Sequence, residues 1–169
     1  ISLKKGDLLR KTQKSSGEDE IILATKKGQA IKFKEKEIRP MGRQAVGIRG
    51  IKLKKDDEVV GMEIIKKGTS KGNLLILTEN GFGKRVEIRE FKSQKRGGMG
   101  IKCTKVSQKT GELVEVKFLS EETDLICVSR KGKIFKTKIS SIPKQKRQSQ
   151  GVRIMRLEEK DKIASAICI

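Results

Sequence analysis

The chain has 169 residues and a formal net charge of +20, with 41 Lys and Arg, 21 Asp and Glu, and no His, Tyr or Trp. This length suffices for one domain with a real core, and so large a charge, which repels itself in a compact protein, is typical of a polyanion-binding surface. Without His, Tyr or a P-loop, neither a tyrosine nucleophile nor a nucleotide-binding loop is available.

The first residues of the chain repeat a later stretch. Residues 1–7 read Ile-Ser-Leu-Lys-Lys-Gly-Asp and residues 51–57 read Ile-Lys-Leu-Lys-Lys-Asp-Asp. We therefore expect residues 1–19 to be the tail and connection of a preceding repeat, in a chain that is a fragment of a longer array. The first complete repeat then covers residues 20–72. Alternating apolar residues predict four strands in it, at 21–25, 29–34, 48–53 and 59–65, followed by a connection at 66–72.

The same pattern returns over residues 73–123 and 124–169. A tight turn follows the first strand of every repeat at Gly28, Gly81 and Gly132, and Asn80-Gly81 is the strongest hairpin signal. Further strands are predicted after each turn and at 74–78, 101–106, 113–119, 125–129, 152–157 and 163–169, with a connection at 120–123. Period-2 alternation and frequent Gly disfavour helix. The expected fold is all-β, a propeller-like array of four-stranded blades, with about three blades and part of a preceding one.

A fixed grid runs through the central part of the three repeats without a gap. Ten residues after each turn glycine comes an apolar residue, five further an arginine, and four further another glycine: Ile38, Phe91 and Ile142, then Arg43, Arg96 and Arg147, then Gly47, Gly100 and Gly151. Recurrence of an arginine on a repeated scaffold favours a shared ligand surface. For each closing glycine, the alternative is that chain geometry alone requires it.

The loop at residues 94–100 reads Gln-Lys-Arg-Gly-Gly-Met-Gly and combines cations with consecutive glycines. Glycine lets a backbone approach a phosphate and leaves amide groups free to point at it, while Arg binds phosphate bidentately and Lys acts as a point charge. The equivalent loops are residues 42–47 and 146–151. Arg49, Lys102 and Arg153 follow the loops, and we predict that they form one continuous basic surface with the cations of the loops.

Residues 94–100 resemble the seven-residue box of the C-terminal, DNA-wrapping domain of the bacterial DNA gyrase A subunit, with Met99 in place of a basic residue. Residues 38–43, followed by 47–53, are similar to a late blade of that domain, and so are residues 78–85 and 148–153. The resemblance implies a β-pinwheel whose blades exchange strands and whose basic perimeter wraps double-stranded DNA, so that a type II topoisomerase introduces negative supercoils. In that family the essential box usually lies in the first blade, so the box here is expected to be a secondary copy.

The grid and its basic loops predict a set of DNA-binding residues, and the resemblance implies a set of partners. The expected DNA-binding residues are Arg43, Arg49, Gln94, Lys95, Arg96, Gly97, Gly98, Gly100, Lys102, Lys146, Arg147 and Arg153. The chain would be a non-catalytic domain without a cofactor or metal of its own, ATP and Mg acting at other domains of the enzyme. Its partners would be DNA, the N-terminal breakage-reunion part of its own polypeptide, and the ATPase (B) subunit of gyrase in an A2B2 complex.

Two other functions fit parts of the pattern. The C-terminal domain of the topoisomerase IV A subunit shares the blades, and there it would guide DNA geometry for decatenation or relaxation. A propeller-like protein-interaction scaffold could share the period, although five Phe without Trp or Tyr offer few exposed aromatic anchors. The same lack of stacking residues disfavours a binder of single-stranded nucleic acid.

The cysteines and the apolar segments bear on the compartment. Cys103, Cys127 and Cys168 are widely spaced without a CxxC pair, which favours buried reduced thiols of a cytosolic protein over a zinc site. No apolar segment approaches the ~20 residues that span a bilayer, and no signal peptide is evident. We therefore expect a cytoplasmic, nucleoid-associated protein without a membrane partner.

Overall fold

The computed structural model describes residues 1–121 and 123–169; Glu122, in the predicted connection 120–123, lies outside them. Its regular elements are short strands and three single 3-10 turns, at Glu35–Glu37, Ile88–Glu90 and Ile139–Ser141. The strands are β1 (Glu20–Thr25), β2 (Gln29–Lys34), β3 (Val59–Ile65), β4 (Asn73–Thr78), β5 (Phe82–Glu87), β6 (Ile101–Lys102), β7 (Leu113–Leu119), β8 (Asp124–Ser129), β9 (Ile134–Lys138), β10 (Val152–Arg153) and β11 (Ile163–Cys168). The predicted all-β fold is confirmed.

The strands form three antiparallel sheets that exchange their outermost strands. Their orders are β3-β1-β2-β6, β10-β5-β4-β7 and β11-β8-β9. β6 belongs in sequence to the second repeat but pairs with β2 of the first, and β10 of the third repeat pairs with β5 of the second. The exchange that the resemblance implied is therefore present. Each exchanged strand ties two repeats together through backbone hydrogen bonds.

The third strand of each repeat differs from its prediction. The predicted strands 101–106 and 152–157 contain only the two-residue strands β6 and β10, and residues 48–53 form no strand. β6 and β10 are short because only two residues of each pair with the second strand of the preceding repeat. The described part of the chain contains no strand before Glu20 that could pair with residues 48–53. The third sheet has three strands rather than four, because no strand of the described residues pairs with the outer edge of β9. Ile134 on that edge is 70% exposed.

The core lies within and between the sheets, and the fourth strands face one another. β3 contacts β7, and β7 contacts β11, so these strands line the inner side of the array. β6 and β10 lie at the opposite end of the strand order and so at the outer rim. Of the aligned apolar residues of the grid, Phe91 and Ile142 are buried and Ile38 is half-buried. The rim is thus the side on which the loops of the grid emerge.

Two of the three cysteines, Cys103 and Cys127, are buried. Burial raises the pKa of the Cys103 thiol to about 12 and that of the Cys127 thiol to about 11, which keeps both protonated at neutral pH. Within residues 1–121 and 123–169, no group of His, Cys, Asp and Glu is placed to hold a metal ion. No helix in that part of the chain is long and apolar enough to cross a membrane.

Candidate nucleic-acid interface

The basic loops of the second and third repeats occupy equivalent places on the outer rim. We call residues 42–47, 94–100 and 146–151 rim loops 1, 2 and 3. The entry to rim loop 2 runs beside β2, where the Gln94 amide donates to the Lys32 carbonyl at 2.7 Å. The entry to rim loop 3 runs beside β5 in the same way, where the Gln145 amide donates to the Arg85 carbonyl at 2.8 Å. The sequence grid therefore describes two loops with the same attachment.

Each of these loops ends on a glycine that lies against the neighbouring sheet. Gly100 has φ +70° and packs on the Ala30 backbone, while Gly151 has φ +86° and packs on the Gly83 backbone. A Cβ at Gly151 would meet the Gly83 carbonyl oxygen at 2.6 Å. At both positions the chain geometry is sufficient to explain the glycine, since the close approach of two backbones requires glycine there.

We expect Gly151→Ala to lower the free energy of unfolding by about 2–5 kcal/mol, since the left-handed φ and the clash with Gly83 add. Gly132→Ala is the matched control, because Gly132 has φ +83° but open space around its Cβ position. It should lose only the conformational part, about 1–2 kcal/mol. Urea denaturation of both variants measures the difference, and equal losses would contradict a steric role for Gly151.

The guanidinium groups of Arg96 and Arg147 are used partly within the protein. Nη1 of Arg96 donates to the Arg49 carbonyl and its Nε donates to the Glu37 carbonyl at 3.2 Å. Nη1 of Arg147 donates to the Lys102 carbonyl at 2.8 Å, which is the equivalent acceptor one repeat later. Within the described residues, Nη2 of either side chain has no hydrogen bond. Each arginine can therefore hold the preceding rim segment and still present one edge of its guanidinium outward.

Two glutamates hold the backbones of the same arginines. A carboxylate oxygen of Glu37 accepts the Arg96 amide at 2.8 Å, and one of Glu90 accepts the Arg147 amide at 3.2 Å. Glu90, whose side chain is largely buried, also forms an ion pair with the exposed Lys146 at 3.4 Å. The sequence did not single out these glutamates, although each directly precedes an aligned apolar residue of the grid, Ile38 or Phe91.

The backbone of rim loop 2 also makes internal contacts. The Gly97 amide donates to the Gly50 carbonyl at 2.8 Å, and the Gly98 carbonyl accepts the Lys52 amide at 2.8 Å. The Gly97 amide is therefore not free to bind a phosphate, in contrast to the role that the sequence pattern suggested for it. The glycines of this loop act mainly by letting the chain turn close to the first repeat.

The other predicted cations are exposed and lie on or beside the rim loops. They are Arg43, Arg49, Lys95, Lys102, Lys146 and Arg153. The Arg153 guanidinium lies 5.3 Å from the centroid of the Phe82 ring, which holds it by a cation–π contact. Arg43 has no hydrogen bond or ion pair within the described residues, and rim loop 1 is held where the Ser2 amide donates to the Ala45 carbonyl at 3.1 Å.

A further row of exposed cations was missed from the sequence. Lys52, Lys105 and Arg156 each follow the closing glycine of their rim loop by five residues and are all exposed. Their recurrence on the grid was the available signal. They lengthen the basic surface on the side of the segments that leave the loops.

A buried lysine beneath rim loop 3 was also missed. Lys84 is fully buried, and burial lowers the pKa of its ammonium group to about 8. Phe82, Lys84 and Val86 alternate along β5 and are all buried, so the period-2 pattern places Lys84 on the core side. A charged residue at a core position of this alternation was the sequence signal that could have identified Lys84.

Comparison with known proteins bears directly on this arrangement. A family model described as the DNA gyrase C-terminal domain, beta-propeller, matches the chain over residues 19–66, 72–120 and 123–169. The chain belongs to this family. Each of the three matched ranges contains the strands of one repeat together with its rim loop.

Similar curated proteins include A subunits of gyrase from two bacteria. The DNA gyrase A subunit of Aminobacterium colombiense is 36% identical over 166 residues, which cover 98% of this chain and 20% of that protein. The DNA gyrase A subunit of Staphylococcus aureus is 35% identical over 167 residues, covering 99% of this chain and 19% of that protein. The chain spans about a fifth of the length of these curated relatives.

Solved structures show the same fold. The DNA gyrase A C-terminal domain superposes with a TM-score of 0.90 at 27% identity, covering 99% of this chain and 56% of that one. The C-terminal domain of DNA topoisomerase IV superposes with a TM-score of 0.84 at 23% identity, covering 90% of this chain and 47% of that one. The second is a likeness of fold alone.

Proposed function

We propose that the chain binds double-stranded DNA without sequence selectivity along its rim loops and bends the duplex around the rim. The observation that carries the proposal is the equivalent attachment of rim loops 2 and 3 to consecutive sheets, which sets their cations at equivalent places on one side. Contacts to phosphates position a duplex but carry no sequence information. Sequence preference should therefore arise from DNA deformability.

The charge of the rim must offset the cost of bending. Smoothly bending 20–30 base pairs by 40–90° costs about 1–6 kcal/mol. The predicted contacts from Arg43, Lys95 and Lys146, with the outward edges of Arg96 and Arg147, oppose this cost through counterion release. The formal net charge of +20 supports the same conclusion, because it attracts a polyanion over the whole surface.

In a whole enzyme the bent duplex would be presented to the cleavage core of a type II topoisomerase, so that strand passage introduces negative supercoils. Similarity to the DNA gyrase A subunit over nearly the whole chain supports this assignment. The chain would act as a non-catalytic domain, joined to the breakage-reunion part of its own polypeptide and working with the ATPase (B) subunit in an A2B2 complex. The charged rim needs no cofactor for this role, and ATP and Mg would act elsewhere.

A topology assay tests the proposal. The chain is bound to relaxed circular DNA, the circles are relaxed or sealed in its presence, and the linking number is read after the protein is removed. We expect a change of one sign that grows with the ratio of protein to DNA. Binding without any change would contradict wrapping and favour the guiding role of a topoisomerase IV domain, whose fold is similar. Absence of binding would contradict both.

A further inference from the structure

Rim loop 3 is built around a buried ammonium group. Nζ of Lys84 donates to the carbonyls of Lys146, Arg147 and Ser149 at 2.8, 2.6 and 2.8 Å, and to the Ser149 hydroxyl at 3.2 Å. A lysine ammonium has three donor hydrogens, so the carbonyls of one loop account for all of them. The loop therefore folds over Lys84, with its carbonyls turned inward.

Rim loop 2 makes equivalent attachments to its neighbouring sheet without a buried charge. The residue of the first repeat equivalent to Lys84 is Ile31, which is also fully buried. Gly98 of rim loop 2, which follows Gly97, lies above Ile31, and a Cβ on Gly98 would be 3.6 Å from the Ile31 side chain. In rim loop 3 the equivalent residues are Gln148 and Ser149. An apolar residue beneath a loop with two glycines is thus replaced by a lysine beneath a loop with Gln and Ser.

We propose that Lys84 is a positioning residue for DNA binding, which fixes the backbone of rim loop 3, where rim loop 2 has glycines instead, and so presents Lys146 and Arg147 to a duplex phosphate. This inference rests on the proposed function. Lys84 is fully buried and cannot itself touch DNA. It acts through the loop backbone, since it binds the carbonyls of both residues that carry the exposed cations.

The surroundings of Lys84 determine how this arrangement depends on pH. The charged and titratable groups that face it are Cys103 after β6, Glu90 in the 3-10 turn after β5, and Arg147 in rim loop 3. Burial lowers the pKa of the Lys84 ammonium to about 8. Above that pH the neutral amine has two donor hydrogens and a lone pair facing carbonyl oxygens, so the loop loses part of its support. DNA affinity through this loop should therefore fall as pH rises through about 8.

Loop exchange between the repeats provides the test. Lys84→Ile removes the ammonium, and the triple variant Lys84→Ile, Gln148→Gly, Ser149→Gly recreates the combination of Ile31 with Gly97 and Gly98. Lys55→Met is the control, because it removes one charge from an exposed turn outside the rim loops. Binding to a linear duplex is measured against salt at a temperature where circular dichroism shows every variant folded.

We expect Lys84→Ile to reduce the slope of log affinity against log salt by about 0.9 for each of the two cations of the loop. The triple variant should regain the slope of the original chain, and its affinity should no longer fall through pH 8 as that of the original chain does. An unchanged slope in Lys84→Ile, an equal loss in Lys55→Met, or no recovery in the folded triple variant would overturn the inference. Failure of the original chain to bind duplex would instead overturn the proposed function.

Discussion

Affinity of the chain for duplex DNA is expected to fall by about 10³–10⁵ between 50 and 200 mM salt, if the rim neutralises about 6–10 phosphates. The reason is that each contact between a cation and a phosphate releases condensed counterions, and the release becomes less favourable as salt rises. Titration of a labelled duplex at several salt concentrations measures the slope. Binding that does not depend on salt would contradict the wrapping proposal.

A matched pair of triple variants locates the phosphate-binding cations. Arg43→Ala, Lys95→Ala and Lys146→Ala together remove one exposed cation from each rim loop, and the slope should decrease by about 0.9 for each phosphate no longer neutralised. Lys14→Ala, Lys54→Ala and Lys55→Ala remove the same charge from exposed positions outside the rim loops. If both triple variants show the same decrease in slope, the rim has no special part in binding.

Arg96→Ala is expected to weaken DNA binding and to lower the free energy of unfolding by about 1–3 kcal/mol, whereas Lys95→Ala should weaken binding alone. Without its guanidinium, Arg96 can no longer donate to the Arg49 and Glu37 carbonyls, and each of these hydrogen bonds contributes about 0.5–1.5 kcal/mol. Lys95 is exposed and contributes a point charge. Chemical denaturation and salt titration of the two variants separate these effects.

Arg96→Lys provides the control for charge. It retains the cation but lacks the planar group that reaches two carbonyls at once, so it should recover part of the DNA affinity and little of the stability. If Arg96→Ala unfolds at the same denaturant concentration as the original chain, Arg96 is a phosphate ligand without a structural role. Supercoiling that persists unchanged in a whole enzyme lacking both the Lys95 and Arg96 side chains would show that this box is structural.

The strands and turns were largely predictable because their signals are local. Period-2 alternation located strands such as β1 and β4, and glycine marked the hairpin turns. The short third strands were not predictable in the same way, since Ile101 and Cys103 alternate whether or not a partner strand continues beside them. Strand length there depends on β2 of another repeat, which pairs with only two residues.

The candidate site divides along a similar line. Its cations could be located, because one arginine per repeat recurs at a fixed distance from glycine. The hydrogen bonds of Arg96 and Arg147 to backbone carbonyls could not be predicted, because every residue has a carbonyl and the sequence does not indicate which one is near. Lys84 was predictable in part, since its alternation with Phe82 and Val86 indicated that it is buried but not which groups it binds.

The arginine links between neighbouring rim segments have a mechanical consequence. Arg96 joins rim loop 2 to the segment after rim loop 1, and Arg147 joins rim loop 3 to the segment after rim loop 2. The positions of these cations relative to one another are thus fixed by the protein and do not vary independently. If the rim binds a duplex as we propose, the protein would impose the path of the duplex and the elastic cost of bending would fall on the DNA.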